Sequence, residues 1–451
     1  MSSADGSSLI QRIPKFVKKY PTLRSVPYWV GAVLVGFASV AYARAFEWCG
    51  ETMIHMLKEH PYAMLVLSPL FFVVGWALVR FIPPAAGGSG IPQVMAALEK
   101  GPQVPEKELS RLLGLRVLVV KVVSSMFCVL GGGVIGREGP TIQVSASLFC
   151  TIHRRFGKLA NQLNPVPWII AGSAAGLAAA FNTPLGGVVF AIEELASMHF
   201  NQFKIAVLSS VIISGLIAQW VLGSYLYLGF FKLVALTLPT FLWAMLAAIL
   251  SAVAACWFTA LLSAGTRILR QRTLPFRASC AALCGLILVL LGILTHTNVL
   301  HPGAKLVHEV LLGSDEVLSW PLVLGRYLAM VVSYLSGCAG GIFAPSLSMG
   351  AQIGGQLAHA FGVEPVGLLA MAGLTAFLSA VTRVPFTSAV LVLEMTDRHG
   401  AVFLVMCSAL VAYAVGYLMN PEPFYHQQMR YFMDDPNAPS SVDEPSARTS
   451  R

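Results

Sequence analysis

The apolar runs of this chain are too long and too numerous for a soluble fold. They begin near Tyr28, Pro61, Leu112, Pro165, Ile205, Pro239, Ser279, Pro321, Pro365 and Val402, and several exceed the ~20 residues with which one helix crosses a bilayer. Lipid offers the backbone no hydrogen-bond partner, and a helix satisfies its own. An all-α integral membrane protein with more than ten membrane segments is therefore expected. The composition agrees: 56% of the 451 residues are hydrophobic and 11% charged, against roughly a quarter charged in soluble domains.

The formal charge of +9 raises the question of nucleic acid, but the basic residues flank apolar runs: Arg12, Lys15, Lys18, Lys19 and Arg24, then Arg267, Arg270 and Arg272. That placement reads as topology, with a cytoplasmic N-terminus. The run Tyr28 to Val40 followed by Ala41-Tyr42-Ala43 imitates a cleavable signal, but the leader would be unusually long and more apolar segments follow. The expected division is a cytoplasmic segment over 1–25, a membrane domain over 26–432 and a disordered, Pro- and Ser-rich cytoplasmic tail over 433–451. The eight cysteines show no metal or redox spacing and read as small packing residues.

The membrane domain repeats itself. Pro184 and Pro385 stand 201 positions apart, and the same offset pairs Ala171 with Ala372, Gly172 with Gly373, Ala175 with Ala376, Leu177 with Leu378 and Glu193 with Glu394. Farther upstream it pairs Gly136 with Gly337, Gly139 with Gly340 and Ser145 with Ser346. Two copies are expected, about 26–230 and 235–432, as in transporters that hold substrate between repeats. The paired Glu193 and Glu394 read as a shared hydrogen-bonding role. At this offset Ala339 stands opposite Glu138 and Met395 opposite Glu194, so these two acids need a separate reason.

Glu138 lies in Gly136-Arg137-Glu138-Gly139-Pro140, and an acid within a membrane is costly enough to mark a functional candidate. Two other Gly-rich interruptions share its form: Gly87-Gly88-Ser89-Gly90-Ile91-Pro92 and Gly340-Gly341-Ile342-Phe343-Ala344-Pro345. Glycine turns the chain and proline fits the first helical turn, so each reads as a helix start. Free N–H groups and partial positive charge gather there and favour an anion. A halide held by amides and a hydroxyl such as Ser89, with no fixed lysine, still leaves readily, as transport demands. Close helix packing is the plainer use of such glycines, although three Gly-before-Pro starts exceed what packing needs.

Gly-Ser-Gly-Ile-Pro (88–92), Gly-Arg-Glu-Gly-Pro (136–140) and Gly-Ile-Phe-Ala-Pro (341–345), with Phe181-Asn182-Thr183-Pro184, Ile192-Glu193-Glu194 and Pro423-Phe424-Tyr425, resemble the signatures of the CLC chloride channel and transporter family in order and spacing. The resemblance covers nearly the whole chain. It implies two inverted-topology helical repeats with broken helices, a homodimer with one anion pathway per subunit, and no cofactor or bound metal. Ser89 and Tyr425 match residues whose hydroxyls contact chloride, and Ile342 and Phe343 match those whose backbone N–H groups face it. Gly88, Gly90, Gly136, Arg137, Gly139 and Gly341 form the backbone loops. Glu138 matches a gating glutamate that competes with chloride for the outer site and swings away when protonated. The regulatory pair that ends eukaryotic members is missing, so a compact bacterial protein, multi-pass in the inner (plasma) membrane, is expected.

Antiporter members carry a second acid at the position of Glu194, where many channels have valine, so the resemblance favours chloride/proton exchange with Glu194 as the inner proton relay. A passive chloride channel of the same fold is the alternative. Ser89 favours chloride, since nitrate-preferring relatives often have proline there. One departure is Gln93, where the motif is commonly followed by glutamate. A membrane-embedded enzyme using Glu138 with Arg137 or a histidine has little support, because the ten histidines form no metal-spaced pair.

Overall fold

The computed structural model describes residues 25–157, 164–195, 200–223, 228, 236–300, 303–314, 318–396 and 399–433. The N-terminal segment and the polar tail expected from the sequence lie outside the described residues, apart from Ser25 and Met433. Within them the chain forms eighteen α-helices, with no strand. Prolines in the first two positions start many of these helices, where the missing N–H has no partner to lose.

The first half contains α1 (Val26–Glu59), α2 (Pro61–Phe81), α3 (Ile91–Glu99), α4 (Glu106–Leu113), α5 (Leu115–Leu130), α6 (Glu138–Phe156), α7 (Val166–Phe181), α8 (Pro184–Phe190), which runs into a π-turn (Ala191–Leu195), and α9 (Phe200–Leu222). The second half contains α10 (Leu238–Arg270), α11 (Leu274–Leu294), α12 (Gly303–Leu311), α13 (Trp320–Leu335), α14 (Phe343–Phe361), α15 (Val366–Thr382), α16 (Pro385–Thr396), α17 (Val402–Met419) and α18 (Phe424–Met433). Among the described residues, seven spans are long and apolar enough to cross a membrane, and four shorter apolar helices accompany them. The chain is a multi-pass membrane protein.

Helix by helix the halves correspond. α2 and α11 each have 21 residues, α3 and α12 nine, α5 and α13 sixteen, and α6 and α14 nineteen. The repeats are inverted copies, and α4 and α18 are the helices without a counterpart among the described residues.

The correspondence corrects the uniform 201-residue offset. Leu115 to Trp320 and Glu138 to Phe343, the starts of paired helices, are both 205 positions apart, whereas Pro184 to Pro385 is 201. The α6–α7 connection is longer than the α14–α15 connection, and that difference shifts the register. Thr141 Oγ1 bonds Arg137 O at 2.8 Å, as Ser346 Oγ bonds Ile342 O at 2.6 Å. The counterpart of Glu138 is thus Phe343, not Ala339. For Glu193 and Glu394 the 201 spacing holds and the shared role is explicit. Glu193 accepts from the N–H groups of Phe386 and Thr387 at the start of α16, at 3.1 and 2.6 Å. Glu394 accepts from Leu185 and Gly186 at the start of α8, at 3.1 and 2.9 Å. Each acid caps a helix of the other repeat, opposite that helix's partial positive charge.

Candidate functional site

The two central loops meet in a reciprocal pair: Gly136 N donates to Gly341 O and Gly341 N to Gly136 O, both at 2.7 Å. The N-termini of α6 and α14 therefore converge, and each is the helix start expected from its Gly-before-Pro motif. The first loop joins them, with Gly88 N on Cys338 O at 3.2 Å and Gly340 N on Gly88 O at 3.1 Å. Gly90, in a left-handed conformation at φ 102°, then starts α3. All three Gly-rich motifs thus bring helix N-termini to one place.

Glu138 is the first residue of α6 and 1% exposed. Its carboxylate folds over the preceding loop: a Cβ on Gly136 would collide with Glu138 Oε2. A Cβ on Gly139 would collide with Ser89 Oγ and lie 2.9 Å from Ser89 O, so absence of a side chain there lets the Ser89 loop touch α6. Arg137, beside it, forms an ion pair with Glu47 of α1 at 3.1 Å.

Tyr425 enters from α18. It is 1% exposed, and its ring stacks on Phe343 with centroids 6.4 Å apart and planes 11° from parallel. Its hydroxyl interacts with Ser89 and lies within electrostatic range of both Glu138 and Glu194. Ser89 Oγ and Tyr425 OH are both buried without a hydrogen bond of normal geometry. Two polar atoms so placed in an apolar interior suit a ligand that accepts from them. Ile342 is the N-cap of α14 and Phe343 its first residue, both buried, so their N–H groups precede the i−4 ladder of the helix. Ser89, Tyr425, Glu138, Ile342 and Phe343 are brought together around one locus. Glu194 lies on another element, the π-turn after α8, with Oε1 buried and unpartnered.

Two residues not foreseen, Lys121 and Arg326, and the Gln93 departure complete the surroundings. Lys121 of α5, fully buried, donates to Gly88 O at 2.9 Å and fixes the loop that carries Ser89. A lysine does therefore lie near the site, bonded to the back of the loop. Its counterpart 205 positions on is Arg326, which donates to Val299 O at 3.0 Å, so each repeat buries one cation at the same helical position. The corrected register was the signal that would have found the pair. Gln93 Nε2 donates to Ala85 O at 3.0 Å and Gly87 O at 2.6 Å. A glutamate could not donate these bonds, so the departure from the usual motif changes how the loop is held. A cavity of about 140 Å³ reaches Ser89 from the side of Arg270 and Arg277.

This geometry matches known proteins. The family model described as voltage gated chloride channel matches residues 70–417. A protein of Citrobacter koseri named H(+)/Cl(-) exchange transporter ClcA is 32% identical over 423 residues, covering 88% of this chain and 85% of the relative. Its namesake from Salmonella arizonae is 30% identical over 419 residues, covering 88% and 86%. Among solved structures, a slow cyanobacterial Cl-/H+ antiporter superposes with a TM-score of 0.79 at 23% identity, covering 92% of this chain and 99% of the other. A CLC-type fluoride/proton antiporter gives 0.75 at 21% identity, covering 90% and 98%. The chain belongs to the CLC family of voltage gated chloride channels and related antiporters.

Proposed function

We propose that this protein exchanges chloride for protons across the cell's inner membrane, through one pathway in each chain. The observation that carries the reading is the meeting of two buried hydroxyls without a hydrogen-bond partner, those of Ser89 and Tyr425, with the paired starts of α6 and α14 beside Glu138. Chloride accepts from the two hydroxyls and from the N–H groups of Ile342 and Phe343. The N-terminus of α6 offers a further anion position, which the Glu138 carboxylate occupies as a tethered mimic of the ion. A proton on that carboxylate removes its charge and its claim on the helix end, and chloride takes its place. Glu194 passes protons between Glu138 and the inner face. The names of the curated relatives support exchange over passive conduction.

Chloride efflux from proteoliposomes with simultaneous pH recording tests this. Glu138→Gln should abolish proton movement while chloride still passes, and Glu194→Gln should reduce coupling at least tenfold. Unchanged proton movement in both variants would falsify the assignment. A reversal potential that ignores an imposed proton gradient would establish the passive channel instead.

The functional unit is a homodimer. Leu185 and Phe386, 65% and 54% exposed, flank the crossed carboxylate caps on the outer surface of α8 and α16. Carboxylates at that depth require protein cover, because lipid leaves them unsolvated. A second copy presenting the same patch supplies it.

A further inference from the structure

The cavity that reaches Ser89 has a cationic wall that chloride conduction through Ser89 and Tyr425 does not use. Arg270 ends α10 and Arg277 lies in the first turn of α11, and both line the cavity. Both are cations on one space, and Arg80, from the last turn of α2, adds a third positive charge on the Arg277 side. The ion pairs of the described residues engage none of the three. Arg277 also sits at a helix N-terminus, where the α11 dipole already disfavours a cation. Arg270 sits over the ring of Tyr431, its Cζ 3.7 Å from the centroid, a contact that uses no N–H of the guanidinium.

Gln428 supplies an independent sign. It lines the same cavity, is 4% exposed, and its Nε2 is a buried donor without an acceptor. Two planar guanidinium forks and an amide donor thus face one space with no carboxylate among the lining residues. Arginine forks match anions with several oxygens, which take parallel N–H bonds, better than they match a spherical halide. A multivalent anion also relieves the mutual repulsion of the cations more than a monovalent one does.

We propose that this cavity is a second anion site, which binds a free tetrahedral oxoanion such as inorganic phosphate between Arg270, Arg277 and Gln428. An oxoanion seated there blocks the approach to Ser89, a consequence that rests on the transport reading above. The binding itself does not.

Calorimetric titration of the purified full chain with inorganic phosphate, in phospholipid-free detergent with gluconate replacing chloride, tests the site. One phosphate per chain is expected. Its affinity should fall at least tenfold in Arg277→Gln and in Arg270→Gln, and less in Arg277→Lys, which keeps the charge without the fork. Elution volume and thermal midpoint report whether each variant is folded. In proteoliposomes, phosphate should slow chloride efflux by wild type severalfold more than efflux by Arg277→Gln. Absence of phosphate binding to wild type, or equal affinity in the folded glutamine variants, overturns the site. Binding of dihexanoyl phosphatidic acid with none of inorganic phosphate also overturns it, by assigning the arginines to lipid headgroups. Calorimetry needs no transport, so a wild type that binds phosphate but moves no chloride defeats the transport reading alone.

Discussion

At the scale of single residues, the site is shaped as much by missing side chains as by those present. The space beside Gly136 is filled by the Glu138 carboxylate, the far end of a flexible side chain, whereas the space beside Gly139 is filled by the Ser89 hydroxyl and backbone. The same substitution should therefore act in opposite ways. Gly136→Ala is expected to fold, to displace Glu138 from its resting place and to pass chloride with proton movement reduced severalfold. Gly139→Ala has no flexible group to push, since Ser89 O is 2.9 Å from the added carbon and Gly341 Cα 3.5 Å. It should pry the Ser89 loop from α6 and lower chloride efflux by at least tenfold. Paired efflux and pH traces on the two variants check this, and equal phenotypes would count against the placement of Glu138. Glu138 and Ser89 were legible because each lies in a short motif whose chemistry stands alone. Lys121 and Gln93 were not read this way, because a buried cation in an apolar helix and an amide after a motif show their purpose only once the carbonyls they bond are in place.

At the scale of helices, the duplication was legible but its register was only partly so. Alanine, glycine and serine are common enough in packed membrane helices for a constant offset to collect identities on both sides of a length change. The proline at the third position of α6 and of α14 is rarer and tied to the helix start, and matching Pro140 to Pro345 gives the 205 spacing. Glu193 and Glu394 fall where the 201 spacing is right, and their crossed caps follow from symmetry: each acid is four or fewer residues from its helix end and reaches the helix start of the other repeat. Symmetry also makes a quantitative demand. Removing either cap should cost roughly 1–3 kcal/mol for a charged acceptor taken from two backbone donors, and more at Glu193, which also accepts from Thr387 Oγ1 at 2.7 Å. Glu193→Ala and Glu394→Ala should both lower the thermal midpoint in detergent, Glu193→Ala by the larger amount, and the double variant by less than their sum if the two helix starts loosen together. Sensitivity to one alone would show that the two caps do not act as a pair.

At the scale of the whole molecule, the inverted symmetry fixes depth. A pseudo-two-fold axis relating inverted repeats lies in the plane of the membrane, and any contact that is its own mirror under the repeat must sit on that axis. Two contacts meet the condition: the Gly136–Gly341 pair and the crossed caps of Glu193 and Glu394. Both therefore lie near mid-bilayer, the first at the site and the second on the outer surface beside Leu185 and Phe386. The first places the candidate anion site near the bilayer midplane at the repeat interface, where transporters built of inverted repeats hold their substrate. The second puts carboxylates at the depth where lipid tolerates them least, which is why a second copy is the expected cover. Leu185→Glu would set a further carboxylate beside Glu394, whose Oε1 already accepts from the Leu185 N–H. In a self-complementary interface the new charge would also face its own copy across the dimer axis. Light scattering in detergent should give twice the chain mass for wild type and dissociation at protein concentrations at least tenfold higher for Leu185→Glu. Chloride efflux per chain should persist in the variant, because the groups of the site all come from one chain. An unaltered dimer would mean that the copies meet on another face and that the crossed caps are covered by something else.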